Sequence, residues 1–341
     1  MPTAKRLPSG SYRVQVYTHT DSNGKQHRES FTAPTKAEAE MLASQFANSN
    51  DRRRAHNITV EEALTNYIES NRATLSPSTL RGYMMDKKRL APLFNYRIRK
   101  ITSKDIQNFI SEMVEKGYSP KTIKNTYALL VTSLGASDVK NEFKVNLPTI
   151  PKRTLNAPEN EQIVALYNEA NRNMKIAIVL AAFHSLRRGE ICALKYKDLK
   201  GNELYIHADI VQGPDNKWIY KETPKTQASN RIVRLTDKEL ELIGSGSHDD
   251  YIVSFNPKTL TGNFTDLRKR LGIEGIVFHN LRSYYASIAV AIGVPDIYTA
   301  HMGGWREGSS VLKEHYQKKI VSMDKAYSDK MNDYFKKVLG Q

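Results

Sequence analysis

Arg187 stands in the run LRRGE, Lys225 in PKT, His279 and Arg282 in HNLR, Trp305 in GGW, and Tyr316 in VLKEHYQKK. An arginine fork donates two parallel hydrogen bonds to a phosphate, which a lysine cannot match. On a helix, residues three apart share a face, so His279 and Arg282 can reach one anion together. Lys225, in a polar turn, can carry a proton to a departing alkoxide. A tyrosine phenolate can form a covalent phosphoester. An indole N–H can donate one hydrogen bond while its ring packs beneath the site. Phosphodiester exchange without a metal needs this set: cations for the nonbridging oxygens, a nucleophile for phosphorus, and an acid for the leaving oxygen.

Singly, none of these residues is distinctive, since a surface arginine is most often a solvated charge and the chain has 18 tyrosines. Glu190, three residues after Arg187, reads as the partner that orients it rather than as an acid catalyst. Ile191, Cys192 and Leu194 would fill the core side of the same short helix.

These residues need elements to hold them. With 341 residues the chain can bury two or three cores without disulfide or metal staples. Cys192 is the single cysteine, and no Cys/His cluster has zinc spacing, so no structural metal and no cofactor are expected. No run reaches the roughly 18 apolar residues of a membrane span, and MPTAKRLPSG lacks the apolar core of a secretion signal, which predicts a cytoplasmic protein with no membrane partner. A net charge of +15 favours a polyanion, and nucleic acid is the foremost one.

The first segment, SYRVQVYTH, alternates Tyr12, Val14 and Val16 against Arg13, Gln15 and Tyr17, the period of a strand. DSNG reads as a hairpin turn and KQHRESFTA as a second strand. A helix follows Pro34, with Thr35 as N-cap, Glu38 three residues on, and apolar spacing at Ala37, Met41, Leu42 and Phe46. DRRRAHN, 51–57, reads as an exposed basic linker. Four helices come next, the first opened by Thr59 and Glu62 and each of the others by a Ser or Thr cap. Residues 57–154 hold 16 Lys and Arg against 9 Asp and Glu, the largest net positive charge of the three segments, so this unit is the first candidate for a DNA backbone. LPTIPKRTLNAP, 147–158, is a proline-marked boundary. Beyond it the pattern mixes α and β: two helices, LRRGEICALKYKDL, then ELYIHADIVQ and RIVRL flanking a polar turn, then helices to the end.

In order and spacing, LRRGE, PKT, HNLR, GGW and Tyr316 resemble the tyrosine recombinase family, or phage-type integrases, and the resemblance spans the full length. It implies a multidomain α+β fold. An arm-type DNA-binding domain of three strands and a helix would occupy 1–50, with a linker at 51–57. An all-helical SAM-like core-binding domain would occupy 58–146, and a second linker 147–157. A mixed α/β catalytic domain, 158–341, would end in a helix that docks on a neighbouring protomer or closes its own domain.

The same resemblance assigns Arg187 and Arg282 to clamping the scissile phosphate, Lys225 to protonating the 5′ oxygen, His279 to proton transfer with the nucleophile Tyr316, and Trp305 to a hydrogen bond on the phosphate. The interval from Trp305 to Tyr316 is longer than the family's usual one, so His301 stays a rival for Trp305, and Tyr298, Tyr327 and Tyr334 stay rivals for Tyr316. The implied partners are double-stranded DNA at core and arm-type sites, three further copies in a tetramer, an excision factor and a DNA-bending host protein. On the first domain, Tyr12, Arg13 and Lys25 are the expected DNA contacts. Type IB topoisomerases and telomere resolvases share such a site but lack the arm-type domain. A regulator that binds DNA without catalysis is the alternative of a different class.

Overall fold

The computed structural model describes residues 3–20, 26–55, 58–137, 142–151, 157–222, 230–308 and 331. The chain divides into two compact units, Met1–Pro151 and Lys152–Gln341.

The first unit holds two separate cores. One is a three-stranded antiparallel sheet in the order β1 (Lys5–Arg6), β2 (Tyr12–Thr20), β3 (Gln26–Ala33), backed by α1 (Lys36–Ala55). The alternation holds: Val14 is buried, with Tyr12 and Val16 packed beside it. The helix face does not follow the expected stripe. Met41 and Leu42 point outward, and Ala39 and Ala43, fully buried one turn apart, meet the sheet instead. Alanines without side-chain bulk let the helix lie close on the strands, and Phe46 closes the end of the contact against Phe31, ring centroids 4.8 Å apart. Thr35 and Glu38 start the helix as the sequence predicts. A second difference lies at its far end, where the helix runs on to Ala55. The basic run expected to be linker is therefore helical through residue 55, in keeping with the good helix propensity of arginine and alanine.

The second core is built from α2 (Val60–Asn71), α3 (Pro77–Arg89), α4 (Ser103–Glu115) and α5 (Pro120–Gly135). Each begins where a side chain satisfies free backbone N–H groups. Thr59 and Glu62 form the reciprocal box on α2, Ser76 and Ser119 cap α3 and α5 ahead of Pro77 and Pro120, and Thr102 caps α4. Leu64, Leu90, Ile98, Ile106, Ile123 and Leu130 fill the interior. Residues 142–151 run as an extended strap along α4, with backbone N–H groups of Lys144 and Asn146 bonded to Ser103 and Gln107.

The second unit begins with α6 (Asn160–Glu169), α7 (Arg172–Ala182) and α8 (Arg188–Ala193). Five short strands follow: β4 (Leu199–Lys200), β5 (Glu203–Ile206), β6 (Asp209–Gln212), β7 (Trp218–Lys221) and β8 (Arg231–Arg234). The unit ends, among the described elements, with α9 (Asp237–Ile243), α10 (Pro257–Arg270), α11 (Asn280–Ala291) and α12 (Asp296–Gly303). Every residue of α7 from Ile176 to Ala182 is buried, which makes it the central helix, and Leu281 and Tyr284 of α11 join the same core. Phe264 and Phe278 meet edge to face at 5.3 Å and tie α10 to the approach of α11. The polar stretch read as one turn contains β7, which pairs with β6, while β8 returns to pair with β5.

Candidate active site

At the end of α7 the chain turns through Ser185, whose φ of 58° is left-handed, and delivers Arg187 to the N-cap position of α8. Ile191, Cys192 and Leu194 point into the core, as the sequence predicts. Glu190 turns back on the helix head. Its Oε2 accepts the Arg187 backbone N–H at 2.8 Å, and its Oε1 accepts Arg187 Nη1 at 2.6 Å. On its other side Oε2 accepts Arg231 Nη2 at 3.0 Å, with both side chains almost wholly buried. Burial pushes the Glu190 carboxyl up, but the charges of Arg231 and then Arg187, with their hydrogen bonds, outweigh it and hold the pKa down at about 2.

Arg282 projects from the first turn of α11. Asn280 closes that turn, its Oδ1 accepting the Val277 backbone N–H at 2.6 Å, and the His279 carbonyl accepts the Arg282 backbone N–H. His279 is exposed at the helix head. Arg282 is buried, with its guanidinium 4.5 Å from the centre of the Trp305 ring, and that ring stacks on Tyr285 at 6.2 Å. Burial, then the Arg187 charge, push the Arg282 pKa down to about 9, with Glu190 opposing and Arg231 adding to the fall; the group stays charged at neutral pH.

The two arginines meet on one turn. Arg187 Nη2 donates to the Gly304 carbonyl at 2.7 Å and Arg282 Nη2 to the Gly303 carbonyl at 3.1 Å. Only glycine fits here: Gly304 has φ 68°, a Cβ on it would lie 2.7 Å from Arg231 Nη1, and a Cβ on Gly303 would lie 1.9 Å from the Trp305 ring. The GGW motif is thus the floor on which both guanidiniums rest. Arg282 Nη1 is buried and has no hydrogen-bond partner among the described residues. A buried charged donor left over in this way is suited to an anionic oxygen.

The fold therefore brings Arg187, Arg282 and Trp305 together, with His279 at the head of the helix that carries Arg282. Lys225, Tyr316, Tyr327 and Tyr334 lie outside the described residues. The rivals His301 and Tyr298 are both exposed on α12, and Tyr298 is 62% exposed. In the first unit, Arg13 lies on the open face of the sheet and reaches Thr32, but Tyr12 does not share that face. Strand alternation puts Tyr12, half-buried, on the α1 side with Val14, the face opposite Arg13. Lys25 lies outside the described residues.

Two residues of the site were not singled out by the sequence pattern. Arg231 sits in RIVR, where Ile and Val are adjacent and one of them must face out; Val233 goes in with Arg231, and Ile232 is left 47% exposed. Asp209 opens β6 opposite Lys221, against the backbone of α8. Burial, then the nearby Glu190 charge, push its carboxyl up to about 6 against the pull of Arg187, Lys221 and Arg188.

A mostly apolar groove of about 410 Å³ lined by Ile163, Val164, Tyr167, Phe183 and Leu242 contains none of these residues. No helix among the described residues is long and apolar enough to cross a membrane.

An arginine pair on a Gly-Gly turn, Arg282 buried and Arg187 partly exposed, is carried by a mixed α/β unit that follows a four-helix unit in the chain, and comparison with known proteins defines the class. Residues 154–321 match the phage integrase family and residues 59–114 its N-terminal SAM-like domain. The chain is 24% identical to a XerC-like tyrosine recombinase of Caldanaerobacter subterraneus subsp. tengcongensis, over 83% of this chain and 86% of that one. It is also 24% identical to the ICEBs1 integrase of Bacillus subtilis, over 71% and 70%. In fold it is similar to the Tn1549 transposon integrase solved with transposon right end DNA, at TM-score 0.64 and 17% identity over 79% of this chain and 99% of that one. It is similar too to a lambda integrase tetramer solved on a Holliday junction, at TM-score 0.59 and 17% identity over 92% and 94%. The chain belongs to the phage integrase family of tyrosine recombinases.

Proposed function

We propose that the protein is a site-specific DNA recombinase that integrates and excises a mobile element, a prophage or an integrative conjugative element, by transesterification. The observation that carries this reading is the pair Arg187 and Arg282 anchored on consecutive carbonyls of one turn, with Arg282 Nη1 left for an anionic oxygen. The two guanidiniums clamp the scissile phosphate and neutralise charge on its nonbridging oxygens. Trp305 supports Arg282 from below and offers its indole N–H to the same phosphate. Tyr316 attacks phosphorus while His279 takes its phenolic proton; the phosphorus–O5′ bond breaks, Lys225 protonates the departing oxygen, and a 3′ phosphotyrosyl link remains. The 5′ hydroxyl of a partner duplex then attacks that link, so bond energy is conserved and no ATP or metal enters the step.

Four protomers acting through a Holliday junction follow from this reading, in line with the tetrameric lambda integrase. So do work in the cytoplasm, a helical unit clasping the core site, a first domain gripping arm-type sites, and C-terminal docking on a neighbouring copy. An excision factor and a DNA-bending host protein would set direction.

The test is a suicide duplex nicked near the crossover point and carrying the element's predicted core, incubated with wild type and Tyr316→Phe in EDTA. A covalent protein–DNA band from wild type alone is the expected result. A band that survives in Tyr316→Phe moves the nucleophile to another tyrosine. Binding without a band from either protein favours the non-catalytic regulator.

A further inference from the structure

We infer that Arg231 is a positioning residue for strand cleavage, the side chain that holds the Glu190 carboxylate, the loop entering α8 and the Gly303–Gly304 turn in one register. This rests on the recombinase reading above. Arg231 has 1% of its side chain exposed, so it reaches no DNA itself. From the first position of β8 its Nη2 donates to Glu190 Oε2 at 3.0 Å and lies 3.5 Å from the Ser185 carbonyl. Its Nη1 and Cζ sit against Gly304, 2.7 and 3.0 Å from where a Cβ would stand. Ser185 and Glu190 flank Arg187, and Gly304 carries the carbonyl that Arg187 Nη2 holds. One guanidinium thus touches both supports of the phosphate-clamping arginine.

Stability alone does not account for it. A buried ion pair is a weak stabiliser compared with apolar residues of the same volume, because each charge loses its water. A strand that needed only to close a core could carry an apolar side chain where Arg231 stands. What the apolar side chain could not do is fix the second oxygen of Glu190, and with it the direction in which Arg187 points.

The groups facing Glu190 are Arg231 from β8, Arg187 at the head of its own helix, Asp209 from β6 and Arg282 from α11. Arg231 supplies the largest of the attractions that keep Glu190 ionised. Without it the carboxyl takes up a proton more readily, and Arg187 loses its tether as the pH falls.

The experiment is single-turnover cleavage of the suicide duplex at saturating DNA, across roughly pH 5 to 8, with wild type, Arg231→Met, Glu190→Gln and the double variant. Arg231→Met should keep DNA affinity and cleave roughly ten- to a hundredfold more slowly, as a small misplacement of a clamping group does. Its rate should also fall toward acid pH more steeply than that of wild type. Adding Arg231→Met to Glu190→Gln should change the rate by less than about threefold, since both act on one path. Should Arg231→Met fail to fold because buried Glu190 keeps only Arg187 as an ion-pair partner, the double variant buries no carboxylate there, and its comparison with Glu190→Gln decides the matter. Wild-type rate and pH profile in Arg231→Met, or losses that multiply in the double variant, would overturn the inference. Absence of a covalent adduct with wild type would overturn the recombinase reading instead, and is seen before any Arg231 variant is made.

Discussion

Asp209 should cost the folded protein stability at neutral pH, and Asp209→Asn should recover it. Its carboxyl rises from 3.8 to about 6 on folding. With each pKa unit worth about 1.4 kcal/mol, the difference sets an upper bound of about 3 kcal/mol. The group is half-buried, and screening by the water that reaches it reduces the expected gain to about 1–2 kcal/mol. The sign follows from proton uptake. Below pH 3.8 the carboxyl is neutral in both states and costs nothing; between 3.8 and about 6 the folded protein holds a proton the unfolded chain has lost, so stability rises as pH falls; above about 6 the full penalty applies. Asparagine keeps the shape and removes the charge. Both tryptophans, Trp218 and Trp305, lie in the second unit, so their fluorescence during urea unfolding reports on that unit. Asp209→Asn should unfold at higher urea than wild type at about pH 8, and the gain should shrink toward about pH 4. A midpoint at or below that of wild type at the higher pH, or a gain equal at both, would refute the assignment of the cost to the buried charge.

Two further substitutions probe the packing that holds the site and the helical unit. Gly189→Ala should destabilise the second unit: helix propensity gains about 1 kcal/mol, but the new Cβ would lie 1.8 Å from Asp209 Oδ1 and 2.8 Å from the Ile210 carbonyl. Overpacking of this kind costs about 1–3 kcal/mol, so the tryptophan-monitored thermal midpoint should drop by a few degrees; a rise would show that α8 can move off β6 freely. In the first unit, buried Thr126 donates to Asp86 at 2.8 Å and ties α5 to α3. Thr126→Val removes that charge-assisted bond at nearly constant volume and should cost about 1.5–3 kcal/mol, measured by far-UV circular dichroism; an unchanged transition would mean that Arg89, whose Nη1 donates to the same Asp86 Oδ1 at 2.6 Å, satisfies the carboxylate alone.

The sequence disclosed the helical unit well because its signals are local: Thr59, Ser76, Thr102 and Ser119 each cap the helix that the pattern starts there. It disclosed the Arg187–Glu190 contact for the same reason, since three residues on a helix head bring the two together. It misjudged α1, where two alanines beat larger apolar side chains for the sheet face; the deciding quantity is the gap between helix and sheet, which no single helix encodes. Arg231 was hidden for a related reason. In RIVR an inward arginine is costly until Glu190, forty-one residues earlier, is known to be waiting for it. The short strand β7 escaped notice because its four residues are only half-buried and give no alternation.

What unites the site is that its arginines are anchored by main-chain carbonyls as well as by an acid. Arg187, Arg231 and Arg282 crowd around one fully ionised carboxylate, Glu190, with Asp209 only weakly acidic beside it. Had each arginine been fixed by its own carboxylate, the geometry could be the same but the field would cancel. Anchoring on Gly303 and Gly304 fixes direction without removing charge. A field of this kind interacts more strongly with the charge that builds on the nonbridging oxygens during transfer than with a resting diester, which is the condition for accelerating the chemical step. Its cost is the burial of a guanidinium and, after that, repulsion from the neighbouring arginines, both of which lower the pKa of Arg282. The buried stretch of α7 from Ile176 to Ala182, in one core with α11, supplies the cohesion that keeps those charges in place.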